Sequence, residues 1–419
     1  MGKWTIGTAC ICAFMGFPGL GFGQSGAVRG VHDPVLIQQG DTYYLFSSGP
    51  GVPIHRSKDL LRWERAGRVF ADNVPEWGRK DVPQARDVWA PDISFYRGHY
   101  QLYYSISTLG SRRSCIGLAT NRTLDPTSAD YQWVDQGKVL ETHPETADYN
   151  AIDPNFVLDR EGNPWLLFGS YWSGIKLTRL DPETGKPPAE DAGLRALAAR
   201  PREKAIEGAF LVHKKDHYYL FVSFDRCGRG VASNYRIMVG RSPDITGPYV
   251  DIDGRPMLEG GGTPVLAGYD ECRGPGHNGI LLGADGDWLV HHMYDAGAKG
   301  VPTLQVRPLL WSSDGWPVVG EPVNKATLSR PAIRDSDLLG AWKHSVNFGA
   351  YEYFELLADG RMNAAADGAS WTLDGTRLRL HWPDPDAPEG AWIDTCFLAP
   401  DAKSYVGRNQ LGLVIRGIR

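Results

Sequence analysis

The sequence predicts an all-β protein, a five-bladed β-propeller followed by a small C-terminal β-barrel-like domain, and three observations lead there. A residue capable of chemistry is followed, roughly ten to fourteen positions on, by an aromatic-rich strand, and the pattern occurs in five copies. They are Asp33 with Tyr43 to Phe46, Asp92 with Leu102 to Tyr104, Asp153 with Trp165 to Phe168, Glu207 with Tyr218 to Phe221, and His277 with Trp288 to His291. Their spacing of roughly 54 to 70 residues is too long for a solenoid turn and suits a four-stranded unit with variable loops, which is a propeller blade. Third, 50 Gly and 29 Pro in 419 residues fit many short strands joined by turns. In a radial array the innermost strands all begin at one central funnel, so three carboxylates and an imidazole become neighbours.

Along the chain, residues 1–23 read as a secretory signal. Lys3 supplies a positive charge, Ile6 to Phe14 a short apolar core, and Gly21-Phe22-Gly23 a small-x-small cleavage site. The apolar run is too short and too Gly-rich for a membrane span. Residues 24–330 form the propeller, with hairpin turns expected at Gly40-Asp41, Arg97-Gly98-His99, Arg160 to Asn163, Lys214 to Asp216 and Ala284 to Asp287. Third strands follow at Ile54 to Ser57, Cys115 to Ala119, Ile175 to Leu177, Ile237 to Gly240 and Leu304 to Val306; fourth strands are expected to end near Trp63, Trp133 and Tyr249-Val250. Helix is confined to one short piece, Glu190 to Ala199. The composition changes near Pro331, and residues 331–419 alternate as strands at Tyr351 to Leu357, Ser370 to Leu373, Leu378 to Trp382, Ile393 to Leu398 and Leu411 to Ile418, with turns such as Asp359-Gly360 and Asp374-Gly375 between them.

A net charge of -5 gives no reason to expect nucleic acid or an anionic membrane as partner. With 14 Trp and 18 Tyr, aromatic faces are plentiful both for packing strands and for stacking on sugar rings, so carbohydrate is the first partner to consider. Trp63, Trp133, Trp288 and Trp316 read as core. Beyond the signal segment the cysteines are Cys115, Cys227, Cys272 and Cys396, without metal-ligand spacing. Cys227 and Cys272 either pair between neighbouring blades or stay as buried thiols.

Glycoside hydrolysis needs one carboxyl group that is protonated and one that is ionised. Asp33, Asp153 and Glu207 begin three inner strands in apolar settings. Singly, an Asp-Pro is a common turn starter, so the case rests on a shared repeat position. Burial and nearby carboxylates should raise the pKa of Glu207 and suit it to be the acid. Asp92 is offset by one from its Pro and reads as structural.

The runs Asn150-Ala151-Ile152-Asp153-Pro154-Asn155, Val88-Trp89-Ala90-Pro91-Asp92, Gly169 to Ile175 and Gly274-Pro275-Gly276-His277-Asn278 resemble the motifs of glycoside hydrolase family 43, most closely its arabinanases, over about residues 30 to 320. The resemblance implies inversion at the anomeric carbon, Asp33 as general base, Glu207 as general acid, and Asp153 orienting the acid and adjusting its pKa. It implies a calcium ion at His277, which the residue types alone do not suggest: a lone strand His is usually a packed one, and one imidazole is an unusual set for a hard cation. It also implies sugar contacts at Trp89, Asn150, Ser170, Tyr171, Trp172 and the backbone at Gly117. Arg307 is expected either to bond a sugar hydroxyl or to hold a carboxylate ionised. The C-terminal segment resembles the small β-domain appended to some extracellular arabinanases, through Leu339 to Trp342 and Tyr405 to Asn409; its Trp371, Trp382 and Trp392 allow sugar binding, and a packed support is the other reading.

The expectation is a secreted or periplasmic, monomeric, inverting endo-hydrolase of α-1,5-linked arabinan. The rivals are an exo-arabinanase, an arabinofuranosidase or xylosidase of the same family, and a propeller that binds glycans without cleaving them. Three converging carboxylates that repel one another argue against the last. The loops from Asp72 to Asp87 and from Leu180 to Ala205 are polar with few apolar anchors, which predicts no lid and an open groove.

Overall fold

Second strands that are apolar on both faces build the ring. In Thr42–Phe46, Tyr44 and Phe46 face the second blade while Leu45 faces the fifth. In His217–Phe224, Tyr218, Leu220 and Val222 face the third blade while Tyr219 and Phe221 face the fifth. The two-residue period of a strand makes this division automatic. Each second strand thus feeds two of the apolar clusters between neighbouring blades, and an inaccessible ring such as Phe46, Phe168 or Phe221 stabilises the fold by about 1.5–3 kcal/mol.

The computed structural model describes residues 23–188, 193–329 and 332–419, so the expected signal segment lies outside the described residues apart from Gly23. The blades run from Val35–Gln39 to Arg62–Arg68, Trp89–Tyr96 to Val134–Thr142, Asn155–Leu158 to Arg195–Ala198, Ile206–Lys214 to Thr263–Leu266, and Cys272–Gly283 to Pro317–Val319. Ser25–Gly26 adds a parallel strand to the outer edge of the first. The inner strands touch in chain order, and the fifth touches the first, which closes the ring. Inner hairpins turn on two residues at Gly40-Asp41, Arg97-Gly98, Lys215-Asp216 and Ala284-Asp285.

Four local expectations change. The piece expected as helix contains the strand Arg195–Ala198, because Leu197 and Ala198 are buried with Ile175 and Leu177 and this pairing overrides helix propensity; residues 190–192 lie outside the described ones. Trp63 and Trp133 stand at the start of fourth strands, not at their ends. Tyr249-Val250 is not a fourth strand, because the Asp251 carboxylate accepts the N–H groups of Asp253, Arg255 and Gly262 and folds the stretch into a turn, leaving the edge to Thr263–Leu266. The loop from Asp72 to Asp87 is anchored after all: it carries the helix Glu76–Asp81 and buries Val74 and Val82 between the first two blades.

From Gly340 onward eight strands form one sheet whose edges, Met362–Asn363 and Ser370–Asp374, meet through a bridge between Arg361 and Ser370, so it is nearly closed into a barrel. Trp371 is buried in its core, and Trp382 and Trp392 are half-buried donors to Asp394 and Asp384. The barrel docks through guanidinium groups. Arg408 donates to Pro264 O at 2.9 Å and to Pro317 O at 2.8 Å, bridging the outer strands of the fourth and fifth blades. Arg416 donates to Glu321 Oε1 at 3.0 Å and lies 3.4 Å over the Tyr269 ring. The other oxygen of Glu321 accepts from Tyr269 Oη at 2.8 Å and faces Arg307 at 3.7 Å. One buried carboxylate therefore compensates two buried cations across the domain boundary. Glu321→Gln should lower unfolding free energy by about 3–5 kcal/mol, because both guanidinium groups lose their counter-charge; urea titration checks it, and a loss under about 1 kcal/mol would mean the barrel docks by packing alone.

Candidate active site

Five left-handed backbone positions mark the funnel: Asp33 (φ 49°), Ala90 (φ 37°), Asp153 (φ 58°), Gly208 (φ 56°) and His277 (φ 50°). Four carry a side chain, so the conformation costs about 1–3 kcal/mol each and must be held from outside. It is held by the preceding blade. Ser48 Oγ accepts the Ala90 N–H at 2.7 Å, Ser105 Oγ that of Asp153 at 3.0 Å, Ser223 Oγ that of His277 at 2.8 Å, and His292 Nδ1 that of Asp33 at 3.1 Å. Gly208 donates to Asp153 Oδ2 at 3.0 Å. Asp33, Asp153 and His277, together with His32, Trp89, Ile152 and Glu207 just before the left-handed positions, line a cavity of about 940 Å³.

The register differs from the expected one. Glu207 stands one residue before its left-handed position and Asp92 two after, so only Asp33, Asp153 and His277 share the repeat position. Asp92 is off the cavity and latches blades: its carboxylate accepts from Asn155 Nδ2 at 3.2 Å and from the Phe156 N–H at 2.7 Å. Asn155, at the same place in the next blade, accepts the Leu211 N–H at 2.8 Å.

Three carboxyls meet in the funnel, Asp33 and Asp153 buried and Glu207 half-buried, and are driven apart. Burial alone would raise Asp33, but the imidazoles of His277 and His32 outweigh it and hold the group well below the ordinary carboxylate range. His32 Nδ1 lies 2.8 Å and His277 Nδ1 3.1 Å from Asp33 Oδ1, while Ser48 Oγ donates to Oδ2 at 2.6 Å. Burial and then the charge of Asp153 push Glu207 up to about 7, against a hydrogen bond from Ser170 Oγ at 2.8 Å. Burial and then the charge of Asp33 push Asp153 to about 7 as well. An ionised carboxylate and a protonated carboxyl in one cavity is the pairing that glycoside hydrolysis requires.

The profile of the glycosyl hydrolases family 43 matches residues 28–317. The chain belongs to this family. It is 43% identical over 292 residues to the extracellular endo-alpha-(1->5)-L-arabinanase 1 of Bacillus subtilis, covering 68% of this chain and 87% of that one. It is 39% identical over 331 residues to the extracellular exo-alpha-(1->5)-L-arabinofuranosidase of Cellvibrio japonicus, covering 76% and 92%. Among solved structures, Cellvibrio cellulosa alpha-L-arabinanase complexed with arabinohexaose matches 70% of this chain and 96% of its own, with TM-score 0.67 and 40% identity. An endo-1,5-alpha-L-arabinanase from Thermotoga petrophila shares the fold over 94% of this chain and 98% of its own, with TM-score 0.79 at 23% identity, which extends the likeness of fold into the C-terminal domain.

The other residues expected in this family 43 site fall into two groups. Trp89, Asn150, Ser170, Tyr171 and Trp172 line the cavity with the three acids and His277. Gly117 and Arg307 do not. Gly117 sits opposite Tyr104 in the second blade, where a Cβ would stand 2.4 Å from the ring, so its role is to admit that ring. Arg307 is fully buried inside the fifth blade, bonded to His291 Nε2, Gln305 Oε1 and Gly320 O; the carboxylate it faces is Glu321. All four cysteines are free thiols, and Cys227 lines the cavity while Cys272 is buried in the fifth blade. His32, Ser48, Cys227 and His292 were not expected as site residues. For His32 the signal was its place beside Asp33; for the others pairing partners far away in sequence decide the position.

His277 offers one imidazole, with Nδ1 turned to Asp33, and among the described residues it shares no cluster of three His, Cys or carboxylate donors. Next to it Asn278 is buried with neither amide atom hydrogen-bonded. This set does not make a carboxylate cage; it fits a hydrated ion with one protein ligand. For the acids, the charge of Asp153 is one cause that raises Glu207. In Asp153→Asn the Glu207 carboxyl should therefore titrate at lower pH, read by ¹³C NMR of the side-chain carboxyl, whereas an unmoved midpoint would mean that burial alone sets it.

Proposed function

We propose that the chain is a secreted, inverting endo-hydrolase of α-1,5-linked arabinan. The observation that carries this reading is the split of the funnel carboxyls, Asp33 held ionised and Glu207 raised to about 7, so that it keeps a proton in part of the molecules near neutrality. Glu207 gives its proton to the glycosidic oxygen as the bond to the anomeric carbon breaks. Asp33 takes a proton from the water that attacks the opposite face, so the configuration inverts. Asp153 keeps the acid protonated until it is needed and holds the Gly208 N–H next to it. Trp89 and Trp172 offer faces for stacking, and Asn150, Ser170 and Tyr171 offer hydrogen bonds to sugar hydroxyls. The arabinan substrate is supported by the names of the relatives, and export by the word extracellular in two of them, together with the leader pattern in residues 1–23.

The endo reading is supported by where the long loops go. Among the described residues, the loop from 72 to 87 borders the cavity through Asp87 alone and the insertion from 180 to 205 through Lys204 alone; the first packs sideways between blades and the second supplies an outer strand. A specific contact favours the exo reading instead. Arg112 lies 5.7 Å over the Trp172 ring and donates to Ala147 O and Pro144 O, tying the loops of the second and third blades at one end of the cavity.

A single divalent ion, calcium by preference, is proposed at His277. When bound, it adds positive charge on the propeller axis beside Asp33. Metal analysis of the dialysed protein should find about one ion per chain, lost in His277→Ala. An ion-free wild type would leave His277 as a hydrogen-bond donor to Asp33 only.

Products decide the mode of action. Linear α-1,5-arabinan should yield a spread of oligosaccharides early, with fast loss of viscosity and late arabinose. Glu207→Gln and Asp33→Asn, folded, should lose at least about 100-fold in turnover. Release of one short product from the first minutes with viscosity intact would favour the exo reading, and near-wild-type turnover of either variant would overturn the acid and base assignments.

A further inference from the structure

Of the five hydrogen bonds that hold the left-handed positions, three use a serine hydroxyl and one the Asp153 carboxylate, but the junction that closes the ring, from the fifth blade to the first, uses the imidazole of His292. An imidazole has a second nitrogen. Because His292 Nδ1 accepts the Asp33 N–H, its own proton sits on Nε2, and Nε2 lies 3.6 Å from Cys227 Sγ. A second arm leaves the same residue. Asp33 Oδ1 accepts from His32 Nδ1 at 2.8 Å, His32 Nε2 lies 3.0 Å from Tyr294 Oη, and Tyr294 Oη lies 3.1 Å from Cys227 Sγ. The Gly228 N–H donates to the same Oη at 2.6 Å, and the two imidazoles stack with centroids 3.8 Å apart.

We infer that Cys227 is a positioning residue: its sulfur closes a ring of hydrogen bonds that leaves Asp33 by its N–H through His292 and returns through Tyr294 and His32 to the Asp33 carboxylate. The inference rests on the reading of Asp33 as general base. A sulfur suits the place, because it accepts at 3.6 Å where a smaller oxygen would fall short. The same three side chains do not form a metal site as they stand. An ion about 2.0–2.1 Å from each imidazole must lie near both ring planes, which stacked rings forbid, and His292 Nε2 carries a proton. Asp33, His32 and Cys227 lie on the cavity wall, so the ring faces the substrate side through three of its members.

The test measures kcat and KM on arabinohexaose for Cys227→Ala, Cys227→Ser, Tyr294→Phe and the Cys227→Ala/Tyr294→Phe double variant, with ¹⁵N shifts of the imidazoles. Cys227→Ala should lower kcat about 10- to 100-fold with KM within about twofold, since the base is misplaced while sugar contacts stay. Cys227→Ser should lose about as much as Cys227→Ala, because its oxygen falls short of His292 Nε2. The double variant should fall no further than the worse single, because both break one ring. In the wild type His292 should show a bare Nδ1 and a protonated Nε2, with the Nε2 resonance moving in Cys227→Ala. Wild-type kcat in Cys227→Ala, multiplying losses in the double variant, or a His292 proton on Nδ1 would each overturn the inference. Glu207→Gln serves as the control: it should be inactive with the His292 signature intact. If it stays active, the hydrolase reading fails while the imidazole shifts still report on the ring.

Discussion

Everything at the funnel depends on a backbone that an isolated chain would not choose. A left-handed residue in each inner segment brings its own side chain or the preceding one to the cavity, as at Asp33, Trp89, Asp153, Glu207 and His277, and the cost is met by a hydrogen bond from the neighbouring blade. The site is thereby made conditional on the ring. Asp153 is set by Ser105 of the second blade, His277 by Ser223 of the fourth, and Asp33 by His292 of the fifth, so no blade alone holds its own functional residue in place. Ser48 does this twice, accepting from Ala90 and donating to Asp33.

Burial then gives unequal acids. All three funnel carboxyls lose water, which by itself would protonate them all. Asp33 escapes because imidazoles surround it, and its retained charge is one of the things that raises Asp153, whose charge in turn raises Glu207. The order along the funnel is therefore a consequence of where the histidines are. His32 and His277 come from the first and fifth blades, on the Asp33 side of the ring; Glu207 keeps a serine hydroxyl from Ser170.

Local pattern made the architecture legible. Aromatic strands at regular intervals, two-residue hairpins and the change near Pro331 required no knowledge of distant partners, because a strand's period and a turn's chemistry are short-range. The three acids were legible as residues, but the argument from a shared repeat position holds for Asp33 and Asp153 and misplaces Glu207 by one, since the left-handed glycine that follows it has no side chain to mark it. Gly117 and Arg307 lie off the cavity for another reason, and of its two expected roles Arg307 keeps that of facing a carboxylate, Glu321: which face of a strand a residue occupies depends on register, and register is set by partners such as Tyr104 and His291. Cys227 was visible only as a possible disulfide partner. Its real neighbours, His32, His292 and Tyr294, come from two other blades.

Arg307 shows what that buried register achieves. Its Nε donates to His291 Nε2, and His291 Nδ1 then donates to the carbonyl of His292, whose own Nδ1 holds the Asp33 N–H. On the other side Arg307 faces Glu321, which also binds Arg416 of the barrel. A line of polar contacts thus runs from the C-terminal domain to Asp33, passing through the backbone of His292. Burial and the Arg307 charge hold His291 far below the ordinary imidazole range, at about 3, so it stays neutral and serves as a one-way link. A cation this deep needs a counter-charge, and Glu321 alone would be shared between Arg307 and solvent if the barrel were not seated on it. The barrel's contribution is then electrostatic closure: Arg416 and Tyr269 fix the Glu321 carboxylate, the carboxylate balances Arg307, and Arg307 keeps His291 in the tautomer that donates to the His292 carbonyl.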